Sequence, residues 1–139
     1  MKSAISPGER ISRCVFLDNG TAEDVECPEG YMFMPDPVKS KEGARFETSV
    51  IVHGKQTEAQ LEQPGLYIEK VRKSHPRYLG RCVCMVADVN AVNALFVDPS
   101  PSKVSEFHAN ILGWSNELAR QILEAERLAA ASEFVRRAS

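Results

Sequence analysis

The chain has 139 residues, of which 43% are apolar and 26% charged, and its formal net charge is −2. Those values exclude a wholly disordered chain, a collagen and a coiled-coil array. They also exclude a global field that would recruit nucleic acid or an anionic membrane, so either kind of binding needs a local patch. Pro7, Gly8, Glu9 and Arg10 lie where a secretory signal needs an apolar run, and no stretch approaches the roughly 20 apolar residues of a bilayer span. A cytoplasmic protein is expected, with one domain over residues 1–139 that includes an N-terminal segment at 1–30.

In chain order, Ile11–Leu17 reads as a strand and Asp18-Asn19-Gly20 as a tight turn, since Asn-Gly supports positive φ. Asn19-Gly20-Thr21 also fits a glycosylation sequon, which has no meaning without secretion. Residues 21–30 are acidic and irregular. Tyr31–Met34 reads as a short strand stopped by Pro35 and Pro37, and Val38–Gly43 as a polar loop. Arg45–His53 is the clearest strand, with Phe46, Thr48, Val50 and Val52 on one face. Thr57 caps a helix running to Gln63. Leu66–Lys73 fits helix and strand equally, and Ser74-His75-Pro76 breaks it. Arg81–Ala87 is β-rich, Asp88 caps a short helix to Ala94, and Leu95–Val97 returns as a strand. Asp98–Ser102 is a turn. In Glu106–Leu112 the alternation of Phe107, Ala109 and Ile111 favours strand.

Residues 115–137 read as one long amphipathic helix capped by Ser115, with Glu117 in its first turn and Arg136 and Arg137 in its last, as the helix dipole prefers. Leu118, Ile122, Ala125 and Ala129 form a core-facing stripe. Leu123 and Phe134 project from the other side. The expected fold class is α+β: a mostly antiparallel sheet with a long C-terminal helix packed on one face. A helix apolar on two sides needs covering on two sides, which points to a homodimer seam at Leu123 and Phe134, with Trp114 at the strand-to-helix junction.

Several residues have types suited to chemistry. Cys82 and Cys84 point to one sheet face, but a C-x-C pair supplies at most two metal ligands, and Cys14 and Cys27 are isolated. Core packing is the expectation, with no metal and no cofactor. His108, Cys84 and Asp88 can be written as a base, a nucleophile and an orienting acid. Nothing in their spacing makes them converge. His53-Gly54-Lys55-Gln56-Thr57 lacks the upstream glycine of a phosphate loop, Ser49 standing in its place. Lys70, Arg72, Lys73, Arg77 and Arg81, interleaved with Tyr67, His75 and Tyr78, have the composition for phosphate contact and base stacking. Glu58, Glu62 and Glu69 dilute their field.

Thr48-Ser49-Val50, Asp98-Pro99-x-Pro101 and His108-Ala109-x-Ile111-x-Gly113-Trp114, followed by an alanine-rich helix, carry one resemblance. From Phe46 onward, about two thirds of the chain, the sequence resembles small uncharacterised bacterial proteins carried on mobile genetic islands. The resemblance implies a strand at 108–112 and a bacterial accessory role in a defence, toxin-neutralising or mobile-element setting. It brings no activity with it. The functional expectation is a non-enzymatic protein-binding or accessory module that self-associates and has no membrane partner. The alternatives are a nucleic-acid-binding module using residues 70–81 and a small hydrolase-like enzyme centred on His108.

Overall fold

The period-two alternation of the β-rich stretches is satisfied by one antiparallel sheet. The computed structural model describes residues 4–17, 27–40, 43–73, 76–103 and 105–138. Strand β1 (Arg10–Leu17) is followed by a 3₁₀ turn (Gly30–Phe33), β2 (Asp36–Ser40), β3 (Gly43–Val52), helix α1 (Glu58–Val71) and β4 (Arg77–Met85). Then come α2 (Val86–Asn90), β5 (Phe96–Pro99), β6 (His108–Leu112), α3 (Leu118–Ala130) and β7 (Glu133–Arg136). The fold is α+β. Among the described residues the sheet has seven strands in the order β5-β6-β3-β1-β4-β7, with β2 paired to the outer half of β3, and every pairing is antiparallel.

One face of this sheet is apolar. Ile11, Val50, Cys82, Cys84, Val97, Ala109 and Ile111 lie in one hydrophobic cluster with α2, the 3₁₀ turn and the buried residues of α3. The opposite face holds Ser12, Cys14, Ser49, Arg81 and His108 by alternation and register, and α1 contacts β1 and β4. Gly65 lets α1 approach closely, because a Cβ there would stand 2.4 Å from the Tyr78 ring.

Four expectations about elements are corrected. Instead of the strand expected at 31–34 the chain forms the 3₁₀ turn Gly30–Phe33, with Met34 as its C-cap; Met32 and Phe33 are buried by it. The first part of the loop expected at Val38–Gly43 belongs to a strand, Asp36–Ser40; Pro37 is tolerated because β2 pairs only with β3. The Thr57-capped helix runs through Pro64 to Val71, so the ambiguous stretch 66–73 is helical as far as Val71, with Arg72 as the extended C-cap. Asp88 is not the N-cap of α2 but its third residue, accepting a hydrogen bond from the Met85 amide at 2.9 Å. The turn expected at 18–20 and the acidic stretch 21–26 lie outside the described residues, as do Ser74 and His75.

The largest correction concerns the C-terminus. The helix expected over 115–137 spans only Leu118–Ala130, with Glu117 and not Ser115 at its N-cap. Ser132 donates its hydroxyl hydrogen to the Leu128 carbonyl at 2.6 Å, a back-bond that competes with helix continuation. The chain then turns into β7, which pairs with β4 and supplies partners to backbone groups an edge would leave open. Gly80 makes this docking possible: its φ is +152° and a Cβ would lie 2.3 Å from the Val135 carbonyl. Helix α3 makes its chief contacts with the 3₁₀ turn.

The core-facing stripe is also rotated. Gln121, Glu124, Ala125, Leu128 and Ala129 are buried, whereas Leu118 and Ile122 are exposed. The physical reason is the loop entering α3. Glu124 accepts from the Ser115 amide at 3.1 Å and from Asn93 Nδ2 at 3.0 Å, and Gln121 donates to the Ser115 carbonyl at 2.6 Å. Buried backbone groups must find partners, and these two polar side chains turn inward to supply them.

Candidate functional site: a cleft between helix α1 and the sheet

Strands β1 and β3 pair only at Ile11↔Val52 and Ser12↔Ile51. Beyond that point they are bridged by a side chain. Arg13 alternates in register with Ile11 and Val15, two core residues, yet it carries a charge. Its Nε donates to the Met32 carbonyl at 3.1 Å and its Nη1 to the Ser49 carbonyl at 2.9 Å. The guanidinium thus ties β1 to the 3₁₀ turn and to β3. Burial lowers its pKa, and the Asp36 charge opposes that shift.

Above this gap lies a cleft of about 360 Å³, floored by Ser12, Arg13 and Ser49 and walled by Tyr67 and Arg72 of α1 and by His108. It continues past Pro64 and Tyr67 onto a wider shelf of about 790 Å³ that reaches Gln60, Gln63, Lys103 and Phe107. His108 Nδ1 donates to the Ser100 carbonyl at 2.8 Å. A carbonyl can only accept, so Nδ1 carries a proton, and Nε2 has no hydrogen-bond partner among the described residues.

Under α1 the same sheet face carries a buried polar cluster. Arg81 is 1% exposed and ion-paired with Glu62 at 2.5 Å and with Glu58. Burial opposes its charge, but the hydrogen bond and charge of Glu58 outweigh it and raise the pKa. Ser12 Oγ and His53 Nε2 are hydrogen-bonded. Burial and then the Arg81 charge lower the His53 pKa, which favours the neutral ring. Burial pushes the Tyr78 phenol and the Cys14 thiol up, the latter to about 11. The Ser12–His53 pair resembles a nucleophile and its base, but no acid orients the ring by a hydrogen bond among the described residues, and Ser12 is buried.

The residues singled out from sequence are dispersed. In register His108 stands across from Ile51, Ile51 from Ser12, and Ser12 from Val83. Cys84 is one residue further and points to the opposite face, three strands from His108. The trio His108, Cys84 and Asp88 therefore does not assemble. Cys82 and Cys84 lie in the apolar cluster, where burial pushes their thiols up to about 12 and about 11. Among the described residues no three His, Cys, Asp or Glu side chains converge as metal ligands.

Within the basic run, Lys70, Arg72, Lys73 and Arg77 are exposed, but Arg81 is buried in its ion pairs and unavailable to a phosphate backbone. Of the residues expected at an interface, Trp114 is 7% exposed and donates Nε1–H to the Ile111 carbonyl at 3.0 Å inside its own core. Phe134 belongs to β7, across from Cys82, and packs against the same core. Leu123 alone of the three remains outside. The residues that sequence reasoning missed are Arg13, Ser49 and the Ser12–His53 pair. Arg13 had a signal: a charged side chain alternating with Ile11 and Val15 in a strand.

Comparison with protein-family models, curated proteins and solved structures gave no significant match. The class of protein is therefore set by its own geometry, an antiparallel α+β sheet with an apolar closed face and a polar, cleft-bearing one. Among the described residues no helix is long and apolar enough to cross a membrane.

Proposed function

We propose that this protein is a non-enzymatic binding module that pairs with a second copy of itself through the outward side of α3. One observation carries the reading: α3 buries Gln121 and Glu124 while Leu118, Ile122 and Leu123 are 65%, 42% and 60% exposed. An amphipathic helix ordinarily turns its leucines inward. Leu123 also lines a hollow of about 380 Å³ together with Arg120 and Arg127, so the surface combines apolar area with charges beside it, the usual anatomy of an interface. Its area is modest. Covering three such side chains is worth on the order of 3–5 kcal/mol, comparable to the lower estimates for the cost of association. The dimer is consequently weak and concentration-dependent.

The resemblance noted above would give such a module an accessory role in a bacterial mobile element. Separation of His108 from Cys84 and Asp88 supports the non-enzymatic reading. Light scattering with size exclusion, over about 1–200 μM protein, tests the pairing. The expected result is a mass that rises toward a dimer with concentration, and a monomer throughout for Leu118→Glu/Leu123→Glu with an unchanged melting temperature. A wild-type monomer across the range removes the proposal.

A further inference from the structure

A buried charge needs a counter-charge or a dense set of hydrogen bonds, because removal from water costs several kcal/mol. Arg81 has both in Glu58 and Glu62. Arg13 does not. Its two hydrogen bonds go to neutral backbone carbonyls, and among the described residues no carboxylate lies within ion-pair distance of it. Asp36 acts on it only through space. Its Nη2 makes no hydrogen bond among the described residues, and Arg13 is one of the residues lining the cleft.

Arg72 approaches from the opposite wall. It stands at the C-terminal end of α1, lines the same cleft and disfavours the charge on Arg13. Two guanidinium groups that repel one another across a cavity are stabilised by an anion between them, and planar guanidinium forks match carboxylate and phosphate oxygens. The cleft lining sums to two arginines against one aspartate, in a chain whose net charge is −2. The charge here is local and opposite in sign to that of the whole protein.

The rest of the cavity describes the body attached to that anion. Tyr67 is 49% exposed where the cleft joins the shelf, and Phe107 lies further along the shelf. Gln60, Gln63 and Tyr67 recur at three- and four-residue spacing on one face of α1. A flat ring can stack on the phenol while amide side chains offer both donors and acceptors to its edge. Lining volumes of about 360 and about 790 Å³ are in the range that holds a metabolite-sized ligand.

We infer that this cleft is a binding site for a phosphate monoester bearing a flat heterocycle, the nucleoside monophosphate class. The phosphate sits between Arg13 and Arg72, and the ring lies on Tyr67 toward the glutamines of α1. This site is separate from the α3 surface, and its test does not depend on oligomeric state.

Isothermal titration of the full chain with each of the four ribonucleoside 5′-monophosphates, the corresponding nucleosides and inorganic phosphate tests the inference. At least one monophosphate is expected to saturate at one site per chain, at least about tenfold more tightly than its nucleoside and than inorganic phosphate. Arg72→Ala, an exposed position, should weaken binding about tenfold with no change in melting temperature, and Tyr67→Ala by about five- to twentyfold. Ser49→Phe, which fills the floor from an exposed position, should abolish it. No saturable heat at about 1 mM of any monophosphate overturns the site. So does binding that both Arg72→Ala and Tyr67→Ala leave intact. Inorganic phosphate binding as tightly as every monophosphate overturns the assignment of the ring.

Discussion

The two faces of the sheet are closed by different physics. On one, Val50, Cys82, Val97, Ala109 and Ile111 form a single apolar cluster with α2, the 3₁₀ turn and Leu128 of α3. On the other, α1 is held over β4 by Arg81 with Glu58 and Glu62, and Glu69 pairs with Arg137 at 2.8 Å. Apolar packing is non-directional and fills the space available to it. Ion pairs act at fixed points, so α1 covers part of its face and leaves the rest as a cleft. The polar face is thereby the one that carries the cleft beside α1.

The difference can be broken most severely at Arg81. Arg81→Ala leaves Glu62 buried without its partner, and roughly 4 kcal/mol of unfolding free energy should be lost in urea titration. The double change Arg81→Met/Glu62→Leu should recover most of that loss, because an apolar pair has no desolvation penalty. Equal stability of the single and double variants would mean the pair is not what anchors α1.

On the apolar face Leu128→Ala should cost roughly 3 kcal/mol by the same measurement, from lost burial and the cavity left behind. No second substitution should rescue it through charge. The comparison is sharpened at lower magnitude by pH. His53 has its pKa lowered by burial and then by Arg81, from an ordinary value of 6.5. As pH falls below that value the unfolded chain binds the proton first, so stability present above it is lost as pH falls through the folded-state value. A stability–pH profile should show this decline in the wild type and a flatter course in His53→Gln. An identical slope in both would separate His53 from the polar cluster.

Much of the fold was legible because strand alternation is a local property. The strand faces in β3, the strand at 108–112 and the Thr57 cap of α1 follow from residues within a few positions of each other. The burial of Cys82 and Cys84 follows in the same way. Elements whose fate depends on distant partners were not legible. Asp36–Ser40 became a strand only because β3 extends beside it. Residues 133–136 left the helical pattern because the edge of β4 offers hydrogen bonds that helix continuation does not.

Candidate sites divide on the same line. The sequence by itself determined the α+β class and the alternating faces of the strands. Only the tertiary structure decided that Arg81 is spent on an internal ion pair, that Trp114 and Phe134 belong to their own core, and that Arg13 and Arg72 face one cleft. The reason is one of range. Backbone propensity and alternation act over a few residues, whereas the environment of a charge is set by whatever the chain brings beside it, and here those neighbours come from 19 to 36 positions away.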